Sequence, residues 1–428
     1  MRLVGAMHLA DGLRMVRAVT GAITGCQQQT DGIDQKMLNS PFSPWPSFTE
    51  EERDAVAQVL MSNRVNYWTG EECRQFEKEF AQWVGTSHAI ALANGTLALD
   101  LALKGLGIGA GDEVVVTPRT FIASASCVIN AGATPVFADV DAESGNISPQ
   151  TVAAVLTDKS RAIIPVHIGG WPADMDGLMA LSADHQLKVI EDCAQAHGAA
   201  VNGKSVGGLG HAGAWSFCQD KIMTTGGEGG MVTTDDEALW SAMWSFKDHG
   251  KSWDAIYNRN HRPGFRWVHE SIGTNWRMLE MQAVIGRIQL KRMAEWTARR
   301  TEIAGRIAEA LAPFGAAVRV PVPESGFTHA YYRQYAYVRP DGLRAGWDRD
   351  RIVAEANEKG VPLLHGTCSE VYLEKAFDGT GYRPTESLPV ARELGETSLM
   401  FLVHPTLTDE EVEKTCRVAA EVFSDASR

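Results

Sequence analysis

The sequence predicts an α/β fold, built on a mainly parallel β-sheet that helices cover on both faces. Short apolar runs end in turn or polar residues and lack the alternation of a half-exposed strand, so they are typical of strands buried on both faces. Segments with helical spacing lie between several of these runs. The runs are EVVVTP at 113–118, TPVFADV at 134–140, RAIIPVH at 161–167, KVIEDCA at 188–194, AWSFC at 214–218 and GMVTT at 230–234.

The helical segments follow in order along the chain. The first, TEEERDAVAQVLM at 49–61, has a threonine at the cap position and acids in its first turn. A long helical stretch at about 277–313 precedes a more mixed segment with a strand-like run at 331–338, which predicts a second, smaller α/β domain. We therefore predict a large domain at 37–290 and a small C-terminal domain at 291–428. The other helical patterns lie at 95–106, 121–131, 148–156, 174–185, 348–359 and 408–423.

Residues 1–36 are expected to be a disordered extension outside the fold. AITGC at 22–26 resembles the end of a lipoprotein signal, but Asp11, Arg14 and Arg17 interrupt the apolar stretch before it. An upstream extension or a misplaced start is the simpler interpretation, although a signal peptide stays an alternative. No run of the sequence approaches the ~18 apolar residues that a membrane-spanning helix needs.

Charge and cysteine content narrow the class of partner. The formal net charge of -13 argues against nucleic acid and anionic membranes as partners, because both bind clustered cations. The seven cysteines are scattered, odd in number and form no C-x-x-C pair, so neither a disulfide framework nor a metal site is indicated. We expect a cytoplasmic protein whose partners are small molecules.

Polar residues that follow the predicted strands are the candidates for a ligand site, because open α/β sheets bind ligands beyond the carboxyl ends of their strands. NGTLAL at 94–99 places small residues before a helix, whose first N–H groups favour a phosphate. EDCAQAHGA at 191–199 adds carboxylates, and Lys221 follows Ser216 at the end of the next strand. Each feature taken singly is more often a simple cap, a solvated acid or a surface charge.

A G-x-G-x-x-G pattern at Gly208, Gly210 and Gly213 matches the dinucleotide fingerprint in letters only. That fingerprint must follow a strand and open a helix, whereas this pattern follows polar residues and leads into a strand-like run. A nicotinamide-binding protein is therefore the weaker interpretation.

Taken together and in order, the motifs from about residue 40 to 425 resemble the DegT/DnrJ/EryC1/StrS family of sugar aminotransferases, which are pyridoxal phosphate (PLP) enzymes of fold type I. The resemblance implies a homodimer with shared active sites and a role in polysaccharide or lipopolysaccharide biosynthesis. The motifs are TGEECRQFEKEFAQWVG, NGTLALDLAL, GDEVVVTPRTF, IPVHIGGWPADMD, VIEDCAQAHGA, SFCQDK, GGEGGMVTT, IGTNWRMLEMQAVIG and HPTLTDEEVE.

The resemblance also assigns roles to residues. Lys221 lies where the family carries the lysine that forms the internal aldimine with PLP, and Asp192 where it carries the acid beside the ring nitrogen. The chemistry agrees with both roles. A free lysine is neutral in only about one molecule in two thousand at pH 7 and is therefore a poor nucleophile, a limit that Schiff-base formation removes. A buried carboxylate beside the ring nitrogen keeps that nitrogen protonated. The remaining implied contacts are Gln195 at the ring hydroxyl, Phe121 stacked on the ring, and, at the phosphate, Gly95, Thr96, Leu97, Ser216 and Asn275 of a second subunit.

For the reaction, the resemblance implies a glutamate or glutamine donor, a keto sugar acceptor that is usually nucleotide-linked, and ping-pong kinetics. Tyr332 and His365 are candidate contacts to the sugar. Arg119 is either a contact to a substrate carboxylate or phosphate or part of a surface ion pair. His197 is either a second acid or base or, as this motif favours, a packing and hydrogen-bonding residue. A sugar dehydratase of the same family and a non-catalytic PLP-binding sensor are the alternatives; the dehydratases carry histidine in place of Lys221.

Overall fold

The structure is a computed structural model that describes residues 42–260 and 267–428. The predicted extension at 1–36 lies outside the described residues. Trp45–Arg428 form one compact unit. Its strands are β1 His88–Leu92, β2 Glu113–Val116, β3 Thr134–Phe137, β4 Ser160–Ile164, β5 Lys188–Asp192, β6 Ala200–Val201, β7 Lys204–Ser205, β8 Ala212–Ser216, β9 Gly230–Thr234, β10 Val318–Arg319, β11 Phe327–Thr328, β12 Gln334–Val338, β13 Leu363–Leu364 and β14 Ser398–Phe401.

The helices alternate with these strands through the first half of the chain. Among the helices of the described residues, none is both long and apolar enough to cross a lipid bilayer. They are α1 Glu50–Met61, α2 Glu72–Val84, α3 Gly95–Gly105, α4 Ala123–Asn130, α5 Pro149–Ala153, α6 Met175–His185, α7 Glu237–Lys247, α8 Trp253–Tyr257, α9 Glu280–Leu290, α10 Met293–Leu311, α11 Arg349–Glu358, α12 Pro389–Thr397 and α13 Asp409–Ala426.

A seven-stranded sheet with the order β1-β9-β8-β5-β4-β2-β3 forms the centre of the fold. The pairs from β8 through β5, β4 and β2 to β3 are all parallel, and β9 runs antiparallel to both of its neighbours. Both faces of β8 and β9 are buried, as the apolar runs predicted. The predicted α/β fold with a mainly parallel sheet is confirmed.

The predicted long helix at 277–313 is two helices, α9 and α10. The reason lies in their partners: α9 packs on α1 and α2 near the start of the chain, while α10 packs along α13 at its end. One straight helix cannot present its apolar stripe to both partners. The break between the two helices falls at residues 291–292.

A second sheet, β10-β12-β14-β13, is antiparallel throughout and lies wholly after residue 317. Helices α11 and α13 pack on each other beside it. This arrangement agrees with the change of pattern in the sequence, where the strand-like run contains β12. The domain boundary near residue 290 stays a prediction.

Candidate active site

A cavity of about 550 Å³ lies at the carboxyl ends of the parallel strands. The residues that end β5 and β8, Asp192 and Ser216, both line it, as the rule for open α/β sheets predicts. The full lining is Asn94, Gly95, Thr96, Leu97, Leu99, Thr120, Phe121, Ala123, Ser124, Val166, Asp192, Ala194, Gln195, Ala214, Trp215, Ser216, Cys218, Asp220, Lys221 and Glu228.

The structure brings together all the residues predicted to contact PLP within one chain. Asn275 is absent from this lining; it is exposed on its own chain, and its backbone pairs with Asp248. Since Asn275 was expected to act on the cavity of a second subunit, its role stays a prediction. The predicted residues that line the cavity are Gly95, Thr96, Leu97, Phe121, Asp192, Gln195, Ser216 and Lys221.

The first turn of α3 forms one wall of the cavity. The Asn94 side chain caps the helix by accepting a hydrogen bond from the Leu97 N–H at 3.0 Å. A Cβ atom at Gly95 would lie 2.5 Å from the Ser216 Cβ, so only glycine allows β8 to approach the helix this closely. The positive end of the helix dipole and the Ser216 hydroxyl therefore lie side by side, which suits an anionic group such as a phosphate.

Asp192 presents a buried carboxylate to the cavity. Its Oδ2 accepts a hydrogen bond from the Ser124 Oγ at 2.7 Å, and its Oδ1 accepts one from the Ala194 N–H at 3.1 Å. Burial raises the pKa of Asp192, while these hydrogen bonds and the nearby Lys221 act in the opposite direction. Sequence reasoning missed Ser124, which lies 68 residues from its partner and belongs to no motif that signals the contact.

Lys221 lies in the turn that follows β8. The turn is held by the Lys221 N–H, which donates to the Cys218 carbonyl at 3.1 Å, and by the Trp45 indole, which donates to the Lys221 carbonyl at 2.8 Å. The lysine side chain is only 16% exposed. Burial by itself lowers the pKa of Lys221, but the nearby carboxylates of Asp220 and Asp192 act in the opposite direction, and the pKa is raised overall.

Gln195 and Phe121 complete the set of predicted cofactor contacts. The Gln195 Oε1 accepts a hydrogen bond from the Gly169 N–H at 2.7 Å, so its amide nitrogen remains as the donor toward the cavity. The Phe121 side chain is 68% exposed although it is large and apolar. An aromatic ring left open at the wall of a cavity suits a planar ligand.

The two candidate sugar contacts lie in different surroundings. The Tyr332 hydroxyl donates to Asp220 beside Lys221, close to the cavity. His365 pairs with Asp350 at 3.4 Å and is not among the described residues that line the cavity. Contact of either residue with a substrate stays a prediction.

The glycine-rich segment at 207–213 binds a side chain of its own protein. The N–H groups of Gly207, Leu209 and Gly210 all donate to the Glu191 carboxylate, at 2.6–2.8 Å. The segment then enters β8 and opens no helix. This agrees with the expectation that the glycine pattern is not a dinucleotide fingerprint. His167, Glu191 and Cys193 lie close enough to form a metal site, but this set of hydrogen bonds already occupies the Glu191 oxygens.

Two other residues singled out in the sequence are buried. Arg119 packs its guanidinium over the rings of Tyr335 and Tyr337, 5.1 and 5.3 Å from their centroids, so the alternative of a surface ion pair is wrong. The His197 ring contacts the rings of Trp215 and Phe217. Its pKa is lowered to about 3, mainly because the ring is buried. Neither ring nitrogen of His197 has a hydrogen-bond partner among the described residues, so its expected packing role is supported and its hydrogen-bonding role is not.

Comparison with known proteins covers almost the whole described chain. The profile of the DegT/DnrJ/EryC1/StrS aminotransferase family matches residues 46–420. A spore coat polysaccharide biosynthesis protein, SpsC of Bacillus subtilis, is 36% identical over 90% of this chain and 98% of its own length. The UDP-N-acetyl-3-dehydro-α-D-glucosamine 3-aminotransferase of Acidithiobacillus ferrooxidans is 34% identical over 91% and 98%.

Solved structures match a similar share of the chain. An aminotransferase from Psychrobacter cryohalolentis is 64% identical, with a TM-score of 0.89 over 90% of this chain and 99% of that one. DesV of Streptomyces venezuelae, in complex with a ketimine intermediate, is 32% identical with a TM-score of 0.78 over 87% and 94%. The predicted enzyme class and its PLP dependence are thereby confirmed. The chain belongs to the DegT/DnrJ/EryC1/StrS aminotransferase family.

Proposed function

We propose that this enzyme transfers an amino group from glutamate or glutamine to a keto sugar linked to a nucleotide. The observation that carries the proposal is that the Lys221 amine, the Asp192 carboxylate and the first turn of α3 line one cavity. These are the three groups that PLP needs, for its aldehyde, its ring nitrogen and its phosphate. Bound PLP supplies an electron sink for carbanion chemistry at the donor and acceptor carbons.

The side chains around the ring have complementary tasks. Asp192 would keep the ring nitrogen protonated, because a buried carboxylate favours a proton on a base in contact with it. Ser124 and Ala194 hold that carboxylate through both of its oxygens. The Gln195 amide would donate to the ring hydroxyl, and Phe121 would cover one face of the ring.

Lys221 would have two tasks in succession. Its amine would bond the cofactor aldehyde in the resting enzyme, and an incoming amino donor would displace it. The released amine would then move a proton between the substrate carbon and the cofactor. The donor product would leave before the acceptor binds, which predicts ping-pong kinetics.

The acceptor is the less constrained half of the proposal. Relatives are named for UDP-, GDP- and dTDP-linked sugars, and one is named for 3-amino-5-hydroxybenzoate. The family therefore accommodates different acceptors around one type of cofactor site. A nucleotide sugar is the class that most of these relatives share, and we propose Tyr332 and His365 as its candidate contacts.

We further propose a homodimer in which Asn275 of one subunit completes the phosphate site of the other. Asn275 is exposed, and so are three large apolar side chains within eight residues of it in the sequence, Trp267, Ile272 and Leu279. Apolar side chains exposed in this way are typical of a protein interface. Light scattering should report a dimer, and Asn275→Ala should weaken PLP binding; a monomer that binds PLP fully would contradict this part. The cytoplasmic location stays a prediction.

Absorbance of the PLP chromophore tests the central proposal. Glutamate or glutamine should remove the chromophore of the purified enzyme, and a nucleotide-linked keto sugar should restore it while an amino sugar appears by mass spectrometry. Lys221→Ala should abolish both changes, whereas Lys204→Ala, an exposed lysine, serves as the matched control. A chromophore that neither amino donor alters would instead support the PLP-binding sensor.

A further inference from the structure

The carboxylate of Asp220 lies between the Lys221 amine and the Tyr332 hydroxyl. Its Oδ1 is 3.7 Å from the Lys221 Nζ, and its Oδ2 accepts the hydrogen bond from Tyr332. The Nζ also lies 5.2 Å from the centroid of the Tyr332 ring. Within the described residues, Asp220 is the one acid that forms an ion pair with Lys221.

Two residues next to each other in a strand point to opposite sides, so this contact depends on the turn after β8. The strand ends at Ser216, and the bond from the Lys221 N–H to the Cys218 carbonyl folds the chain back. Asp220 and Lys221 then both face the cavity. The carboxylate is thus built into the turn that presents the lysine.

Tyr332 is itself fixed from the other side. The Arg333 guanidinium lies 4.2 Å from the centroid of the Tyr332 ring, and its Nη1 donates to the Tyr332 carbonyl at 3.0 Å. Burial raises the pKa of Tyr332, so at neutral pH the residue is a phenol that donates its proton in a hydrogen bond. Burial alone would raise the pKa of Asp220, but Lys221, Tyr332 and Arg333 together hold it below its usual value.

The other groups around the amine leave Asp220 as the nearest fixed negative charge. Burial raises the pKa of the Cys218 thiol, which is therefore neutral at pH 7, and His197 is neutral as well. Asp192 also lines the cavity, but it forms no ion pair with Lys221 within 4.0 Å. The titratable groups that face Lys221 are Asp192 from β5, His197 from the loop after β5, Cys218 and Asp220 from the turn after β8, and Tyr332 from the segment before β12.

We propose that Asp220 is the counter-ion that holds the Lys221 ammonium in place whenever the free amine carries a proton, and that Tyr332 positions the Asp220 carboxylate. The inference rests on the proposed function of Lys221, since it concerns the amine that the reaction releases. A buried ammonium without a partner is costly and tends to lose its proton, so a fixed carboxylate keeps it charged and oriented. Asp220 and Tyr332 act through Lys221 and are positioning residues.

The proton affinity of Lys221 can be measured without the cofactor. The apoenzyme is treated with acetic anhydride over a range of pH, and mass spectrometry of the peptide that contains Lys221 gives the pH midpoint of labelling. Asp220→Asn should lower this midpoint by about one pH unit, which corresponds to about tenfold faster labelling at neutral pH. Tyr332→Phe should shift it less, in the same direction.

The double variant separates a positioning role from an independent one. Because Tyr332 acts through Asp220, Asp220→Asn with Tyr332→Phe should show the midpoint of Asp220→Asn alone. Tyr335→Phe is the matched control, since it removes a half-buried tyrosine hydroxyl that accepts a hydrogen bond from the Thr367 N–H. It should leave the midpoint unchanged.

An unchanged midpoint in Asp220→Asn, or additive shifts in the double variant, would overturn the inference. If circular dichroism shows that Asp220→Asn does not fold, the labelling midpoints of Tyr332→Phe and Tyr335→Phe are compared instead. Equal midpoints in these two variants would also overturn the inference. Addition of PLP separates the two proposals: a wild-type enzyme that forms no chromophore contradicts the proposed function, while the labelling midpoints still report on Asp220.

Discussion

Substitution of Gly95 by alanine should damage the phosphate end of the cofactor site and little else. The new Cβ would lie 2.5 Å from the Ser216 Cβ and 3.0 Å from its Oγ. Carbon atoms in contact prefer about 3.5–4.0 Å, so the first turn of α3 must move about 1 Å away from β8. Gly95 has no positive φ, and alanine suits the first turn of a helix, so the contact with Ser216 alone decides the outcome.

The expected magnitude follows from that displacement. Inserting a methyl group into a packed contact lowers the free energy of unfolding by about 1–3 kcal/mol. A shift of about 1 Å in the groups that hold the phosphate should weaken PLP binding by about 10- to 100-fold. Pyridoxal lacks the phosphate, so its weaker affinity should change by less than about twofold, because Asp192, Gln195 and Lys221 keep their positions.

Absorbance titration with PLP and with pyridoxal measures both affinities on the same protein. Gly305→Ala is the matched control: Gly305 lies within α10, nothing lies within 4 Å of its added Cβ, and alanine there should raise the free energy of unfolding by about 0.5–1 kcal/mol. An unchanged PLP affinity in Gly95→Ala would refute the placement of the phosphate. An equal loss for pyridoxal would refute the claim that the damage is local.

Three further substitutions test the acids and one ion-pair network. Asp192→Asn should lower kcat/KM by about 10- to 1000-fold, since an acid in contact shifts a base by 1–3 pKa units, while absorbance still shows bound PLP. Ser124→Ala removes a hydrogen bond that lowers the pKa of Asp192, so the acid limb of the pH–rate profile should move to higher pH; an unmoved limb would contradict this role. Arg287→Ala removes the ion pairs with Glu72 and Glu79 that join α9 to α2 and should lower the free energy of unfolding by about 1–2 kcal/mol in urea; no loss would show that solvent replaces them fully.

The sheet could be predicted wherever its strands are continuous apolar runs. All six predicted runs fall on strands of the central sheet, because burial on both faces leaves a signal in every residue of the run. The prediction missed β1, HAIAL at 88–92, which lies at the edge of the sheet beside β9. Alanine is depleted in strands, so this run has little local preference for extended structure, and its pairing with β9 supplies the rest.

The candidate site could be predicted in part for a similar reason. Asp192 lies near the end of one predicted strand and Lys221 just after the next, so the topology alone places them at one edge of the sheet. Ser124 and Tyr332 contact Asp192 and Asp220 across 68 and 112 residues of sequence, and no local pattern records such a contact. The burial of Arg119 was unpredictable for the same reason, because its partners Tyr335 and Tyr337 belong to the second sheet, more than two hundred residues later in the chain.

Glu191 and Asp192 show how neighbouring acids acquire different tasks. A carboxylate has about four lone-pair positions, and Glu191 uses all four: the Leu209 and Gly210 N–H groups bind Oε1, and the Gly207 N–H and the His167 Nε2 bind Oε2. His167 accepts from the Ala173 N–H through Nδ1, so its Nε2 carries the proton that Glu191 receives. Asp192 accepts only two hydrogen bonds from the described residues, one on each oxygen. Successive residues of a strand point to opposite faces, so Glu191 is saturated on the side of the glycine-rich segment, while Asp192 faces the cavity with capacity for a further donor. That spare capacity, which the sequence pair alone does not reveal, is what a protonated ring nitrogen would use.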